Sequence, residues 1–210
     1  MLFAFPIIAY ASQVVAVAVF ALVYRNLPAA MRVLGLYFVL SLIVSTLQLV
    51  LALNDVHNLW TLYVFSPVQF LLLTLVYYLS KDLSISRMLT RLWLACYVVL
   101  FGSSIAWTGS LARGYPYFEA GGSLLIVIAS CYVLIAIARI EEKSYLAKPL
   151  FWVASANIVY FAGTAVLFAL SGALLETSMQ TMRIAWASQS VVNVIAIAIY
   201  MKGFWCFRRT

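Results

Sequence analysis

Arg183-Ile-Ala-Trp-Ala-Ser-Gln-Ser-Val-Val-Asn-Val-Ile-Ala-Ile-Ala-Ile-Tyr-Met-Lys202 decides the fold. At 1.5 Å per residue, about 20 residues in helical form cross the roughly 30 Å hydrocarbon core of a bilayer. The charges of this stretch stand only at its two ends. Between them Trp186, Gln189 and Asn193 fall at i, i+3 and i+7 and therefore share one helix face. Polar side chains are costly against lipid, so that face is expected to look into a helix bundle.

The rest of the chain obeys the same logic. Of 210 residues, 66% are hydrophobic and 9% charged. A soluble domain carries roughly a quarter charged residues, so the class is a polytopic membrane protein. Seven apolar runs predict an all-α fold with spans at about 5–24, 33–53, 59–79, 88–107, 120–140, 150–170 and 184–205. They form a single domain over residues 1–210. The first run lacks a basic segment before it and a small-residue cleavage site, and is expected to be a span, not a removable signal. Pro67 falls inside the third run, where it frees the carbonyl of Tyr63. Pro149 suits the first turn of the sixth.

Charge sets the expected orientation. Arg25, Arg32, Lys81, Arg87, Arg91, Arg139, Lys143, Lys148, Lys202, Arg208 and Arg209 fall at one side, and only Arg113 and Arg183 at the other. Basic residues are retained on the cytoplasmic side, which predicts an external N-terminus and a cytoplasmic C-terminus. The net charge of +7 is thereby read as topology, and no nucleic-acid partner is expected. The basic face can also dock an acidic partner or anionic lipid.

Polar stripes recur on other spans. Ser41, Ser45 and Gln48 share a face of the second, and Ser66 and Gln69 of the third. Glu119, Ser123 and Ser130 line the fifth, Asn157, Tyr160 and Thr164 the sixth, and Gln13 lies in the outer half of the first. The candidate ligand-binding set is Gln13, Gln48, Gln69, Glu119, Asn157, Tyr160, Trp186, Gln189 and Asn193. Such groups serve either as seams between helices or as the wall of a pocket open to the outside. Trp107 and Trp186 also suit an interfacial aromatic belt. Glu119 is either a solvated loop residue, a favourable charge at a helix start, or a partner for a cationic or hydroxyl-bearing ligand group.

Several functions are disfavoured by what the sequence lacks. No acid or base falls at the middle of a span, against ion-coupled transport. Lys202 is the only lysine of the last span and stands at its end, against a retinal Schiff base. Cys96, Cys131 and Cys206 are widely spaced, and His57 is the only histidine, so no disulfide framework, metal site or other cofactor is implied. No paired carboxylate or nucleophile with a base is visible, so no enzyme is expected.

The run Pro149-Leu-Phe151-Trp152, then Asn157-Ile-Val-Tyr160-Phe161-Ala-Gly163, with Trp186 and Asn193 in the last helix, resembles a group of small bacterial seven-helix inner-membrane proteins often encoded beside signalling genes such as histidine kinases. The likeness covers roughly the last sixty residues. That group tends to carry an acid in its third helix, where this chain has Gln69. The resemblance implies a sensory or accessory role and no chemistry. The sequence-level expectation is thus a sensor of a small neutral or amphiphilic molecule that signals through a separate membrane or cytoplasmic partner. Its alternatives are a facilitative carrier similar to the SWEET proteins, with three helices, a linker helix and three more, or a structural subunit of a larger complex, as one copy or an oligomer. Met31–Tyr37 beside Lys148–Ala154 offers only a faint echo of a repeat.

Overall fold

A computed structural model describes residues 4–56, 58, 60–80, 87–108, 111–140, 145–170 and 179–206. Every regular element among them is helical. The long helices are α1 (Ala4–Val23), α2 (Ala29–Leu53), α3 (Trp60–Leu79), α4 (Arg87–Thr108), α5 (Leu111–Ile140), α6 (Pro149–Ala169) and α7 (Met179–Trp205). All seven are long and apolar enough to cross a membrane, so the chain is a multi-pass membrane protein by length and composition. His57, Lys81, Lys143, Arg208 and Arg209 lie outside the described residues, as do the side chains of Arg87 and Arg113.

Pro149 occupies the first turn of α6, where its missing N–H costs nothing. Pro67 sits inside α3 without ending it. The fifth span differs from expectation: α5 begins nine residues before position 120, and carries Pro116 within it. The Gly114–Pro116 region reads as a helix breaker in isolation, but burial of Phe118 and Glu119 against neighbouring helices holds this turn helical. Glu119 is consequently no solvated loop residue. It lies inside a helix and is only 8% exposed.

The packing order gives the bundle its plan. α1 packs on α2, α2 on α3, α3 on α5, α5 on α6, α6 on α7, and α7 returns to α1. Six helices thus close a ring. α4 stands outside it, packed mainly on α5. Glycines permit two of the closest approaches. A Cβ on Gly35 of α2 would fall 2.0 Å from the Phe20 ring of α1, and one on Gly122 of α5 would fall 3.1 Å from the Tyr97 ring of α4. The outer surface is apolar: Leu22, Met88, Val98 and Ile128 stand well exposed, as lipid-facing side chains must.

Toward the end that carries Arg25, Arg32, Arg139, Lys148 and Lys202, the ring is filled. Phe38 packs edge-on against Tyr200 at 5.1 Å and near Phe204 at 6.1 Å, and Phe20 meets Phe204 at 6.0 Å. Aromatic pairs at such separations add about 0.5–1.5 kcal/mol each beyond the area they bury. At the opposite end the ring is open.

Candidate functional site

At that open end the six ring helices surround a cavity of about 480 Å³. This lies within the range of small-molecule sites, roughly 300–1,000 Å³. The N-terminal halves of α1, α3, α5 and α7 and the C-terminal halves of α2 and α6 converge there, because alternating helices bring those ends to one side.

Eight of the nine residues singled out from sequence line it: Gln13, Gln48, Gln69, Glu119, Tyr160, Trp186, Gln189 and Asn193. Their shared depth and shared helix faces explain the convergence. Asn157 is set apart. It is 0% exposed and belongs to a buried network beneath the cavity. Its Nδ2 donates to the Tyr77 hydroxyl at 2.6 Å, and its Oδ1 accepts from the Tyr200 hydroxyl. Tyr77 and Ser130 share a further hydrogen bond of 2.7 Å, and Ser130 donates to the Ile126 carbonyl. Asn157 therefore ties α3, α6 and α7 together below the site.

The cavity wall mixes committed and available polar groups. The Gln48 amide nitrogen donates to Thr61 at 2.9 Å, a seam between α2 and α3. The Gln189 amide nitrogen donates to Thr164 at 2.8 Å, a seam between α6 and α7, and its Oε1 lies 3.0 Å from where a Cβ on Gly163 would stand. These two amides thus serve helix packing as well as lining. Gln13 Oε1 is buried with no hydrogen-bond partner among the described residues. Glu119 accepts a hydrogen bond from Ser66 at 2.5 Å, across the α3–α5 contact. Ser66 also lies 3.4 Å from the Tyr97 hydroxyl of α4.

The two tryptophans separate. Trp186 lines the cavity and meets Phe168 edge-on at 6.1 Å. Trp107 is 91% exposed and takes no part in the lining, as a belt residue would. Further lining residues come from the same stripes: Tyr37, Ser41 and Ser45 continue the Gln48 face, and Phe65 continues the Gln69 face. Tyr37 is legible in retrospect, since 37, 41, 45 and 48 follow the i, i+4, i+8, i+11 spacing of one helix face. Tyr10 had no comparable signal. Its hydroxyl pairs with Thr46 at 2.9 Å.

Chemically the cavity presents one carboxylate, several amides and hydroxyls, and aromatic faces. Among the described residues no group of three or more His, Cys, Asp and Glu is placed to hold a metal ion. Compared with protein-family models, with curated proteins and with solved structures, the chain finds no match in any of the three.

Proposed function

We propose that the chain is a bacterial inner-membrane protein, N-terminus outside, that takes a small uncharged molecule bearing hydroxyl groups into its bundle from the external side. One observation carries this reading: the polar stripes of six helices meet around a single cavity at the end opposite most of the basic residues. Retention of basic residues in the cytoplasm turns that end outward. Amides and a carboxylate pair naturally with hydroxyl groups, and Phe65, Phe168 and Trp186 offer faces to the apolar side of the same molecule. Polar groups that served packing alone would be expected to close on one another, and these leave about 480 Å³ between them.

The test uses Trp186 as the reporter, with a Trp186→Phe variant to isolate its signal. Protein in lipid nanodiscs is titrated with glycerol, glucose, sucrose, octyl glucoside below its micellar concentration, and choline. A saturable Trp186 response to a hydroxylated compound, weakened in Gln69→Ala and Asn193→Ala, is the expected result. Response to choline alone would move the ligand to the cations. No saturable response to any of them would count against the cavity as a binding site for these classes. A signalling outcome, in which a separate partner at the basic face reads occupancy, is separated from passage through the bundle by the experiment that follows.

A further inference from the structure

The cavity is built twice over. α2 contributes Tyr37, Ser41, Val44, Ser45, Gln48 and Leu49, and the first four of these correspond to the α6 contribution, Tyr160, Thr164, Leu167 and Phe168. These two sets of four are superimposed by one shift of 123 residues. α3 contributes Leu62, Phe65, Ser66 and Gln69, and α7 contributes Trp186, Gln189, Ser190 and Asn193. These are related by a shift of 124. Any helix facing a cavity shows turn-like spacing, so spacing by itself decides little. The chemistry does more: of the eight pairs five agree, Tyr with Tyr, Ser with Thr, Val with Leu, Ser with Ser, and Gln with Asn, while Ser45 with Phe168, Leu62 with Trp186 and Phe65 with Gln189 do not. Outside the lining, Phe38 pairs with Phe161 and Leu27 with Leu150, all four buried. Tyr77 of α3 and Tyr200 of α7, one residue off the 124 register, are the two tyrosines that flank Asn157.

The packing order has the same symmetry. α1–α2–α3 and α5–α6–α7 each form a run of neighbours, and the ring closes through α3–α5 and α7–α1, two contacts that exchange places when the two runs are swapped. α4 lies outside the ring, as a linker that lets the second three helices run in the same direction as the first. Parallel repeats of this kind, with a site at their interface, are a transporter architecture.

The contacts between the halves are unequal along the bundle. At the cavity end, Tyr10–Thr46 and Gln48–Thr61 stay within the first half, and Gln189–Thr164 and Trp186–Phe168 within the second. Ser66–Glu119 bridges them at one seam. At the basic end, Tyr77 reaches across to Asn157 and Ser130, Phe38 to Tyr200 and Phe204, and Phe20 to Phe204.

We infer that the two halves are copies of one three-helix unit that rock against each other about the cavity, so that the protein is a facilitative carrier caught open to one side. The Tyr77–Asn157–Tyr200 network and the Phe20, Phe38 and Phe204 rings form its closed gate on the basic side. This rests on the cavity being a binding site, and adds that the bound molecule leaves on the other face. The inferred cycle carries no coupled ion: Glu119, the acid buried inside α5, is hydrogen-bonded to Ser66 in the cavity wall.

The test is cysteine accessibility to a membrane-impermeant maleimide, in full-length protein with Cys96, Cys131 and Cys206 replaced by serine. Ser41→Cys reports the cavity. Val153→Cys, fully buried and one turn from Asn157 toward the basic end, reports the gate. Right-side-out and inside-out vesicles expose the two faces separately. Tyr77→Phe, and then Tyr77→Phe with Phe38→Leu, loosen the gate in steps. Labelling of Val153→Cys from the basic side is expected to rise about eightfold or more with the first step, which removes both hydrogen bonds of the Tyr77 hydroxyl, to Asn157 and to Ser130. Labelling of Ser41→Cys from the cavity side is expected to fall across the series. Both positions rising together would mean general loosening and would overturn the carrier, as would a Val153→Cys that stays unlabelled throughout. If Trp186 still reports saturable binding in either case, the binding site stands and only transport is lost.

Discussion

Asn157 makes the sharpest energetic claim of the structure, because its two side-chain hydrogen bonds go to tyrosines from opposite halves of the ring. Replacing it with valine, close to it in volume, removes both bonds and leaves the Tyr200 hydroxyl without its acceptor, while Tyr77 keeps Ser130. Hydrogen bonds between membrane helices contribute about 0.6 kcal/mol on average and up to about 1.7. Two such losses place Asn157→Val at about 1–3 kcal/mol of destabilisation. Tyr200→Phe loses one of the same bonds and should cost about 0.6–1.7 kcal/mol. The double variant then costs less than the sum of the two, since the shared bond can be lost only once. The expected coupling is about 0.6–1.7 kcal/mol, measured by reversible unfolding in mixed micelles over an SDS titration. Additivity of the two substitutions within about 0.3 kcal/mol would refute the network.

Three further outcomes follow from other residues. Gly35→Ala places a methyl group 2.0 Å from the Phe20 ring and should destabilise by about 1–3 kcal/mol; Phe20→Leu should recover part of that loss, and a melt that shows no recovery would deny the α1–α2 crossing. Glu119→Gln keeps the size of the side chain and an acceptor for Ser66, so the protein should fold as before while a hydroxylated ligand binds about fivefold more weakly, the difference between a charged and a neutral acceptor. Unchanged affinity in the nanodisc titration would remove Glu119 from the site. A green fluorescent reporter at the C-terminus should fluoresce and an alkaline phosphatase reporter there should stay inactive; the opposite pattern would turn the cavity toward the cytoplasm.

Much of the fold was legible because a bilayer allows few solutions. Once each backbone must satisfy its own polar groups, an apolar run of about 20 residues becomes a helix, and seven runs give seven helices. Six of the seven spans agree with the sequence-level boundaries to within about five residues at either end. The fifth did not, because Gly114 and Pro116 disfavour a helix locally and tertiary burial of Phe118 and Glu119 outweighs them. The cavity's lining was legible for a related reason. Polar residues inside spans are rare, so a face bearing Gln48 or Gln69 has few places to go except inward. Helix periodicity could not tell wall from seam. Asn157 and Tyr160 share a stripe, yet a single turn separates the packed network from the open cavity, and that depth depends on how neighbouring helices are staggered. The inferred internal repeat was hidden for another reason. The echo of Met31–Tyr37 in Lys148–Ala154 implies a shift of 117 residues, six short of the one that superimposes the cavity. The matched positions are spread one per turn, and lipid-facing residues between them carry no common constraint.

Where the inferred symmetry fails is as informative as where it holds. A strictly two-fold cavity would accept a ligand equally well in two orientations. The matched positions Tyr37 and Tyr160, Ser41 and Thr164, Ser66 and Ser190, and Gln69 and Asn193 supply that symmetric polar frame. The departures are Ser45 against Phe168, Leu62 against Trp186, and Phe65 against Gln189, so the second half gains two aromatic side chains where the first has one. The carboxylate is unmatched as well: Glu119 comes from α5, while α1 offers the neutral Gln13. An apolar face directed to Phe168 and Trp186 and a donor directed to Glu119 would fix one orientation out of two. Leu62→Trp, which restores the aromatic pair across the axis, should therefore weaken the preference between ligands that differ only in which end bears the hydroxyl groups, read as the ratio of their affinities in the Trp186 titration after subtraction of the new tryptophan's signal. A ratio unchanged by Leu62→Trp would mean that Glu119 alone sets the orientation.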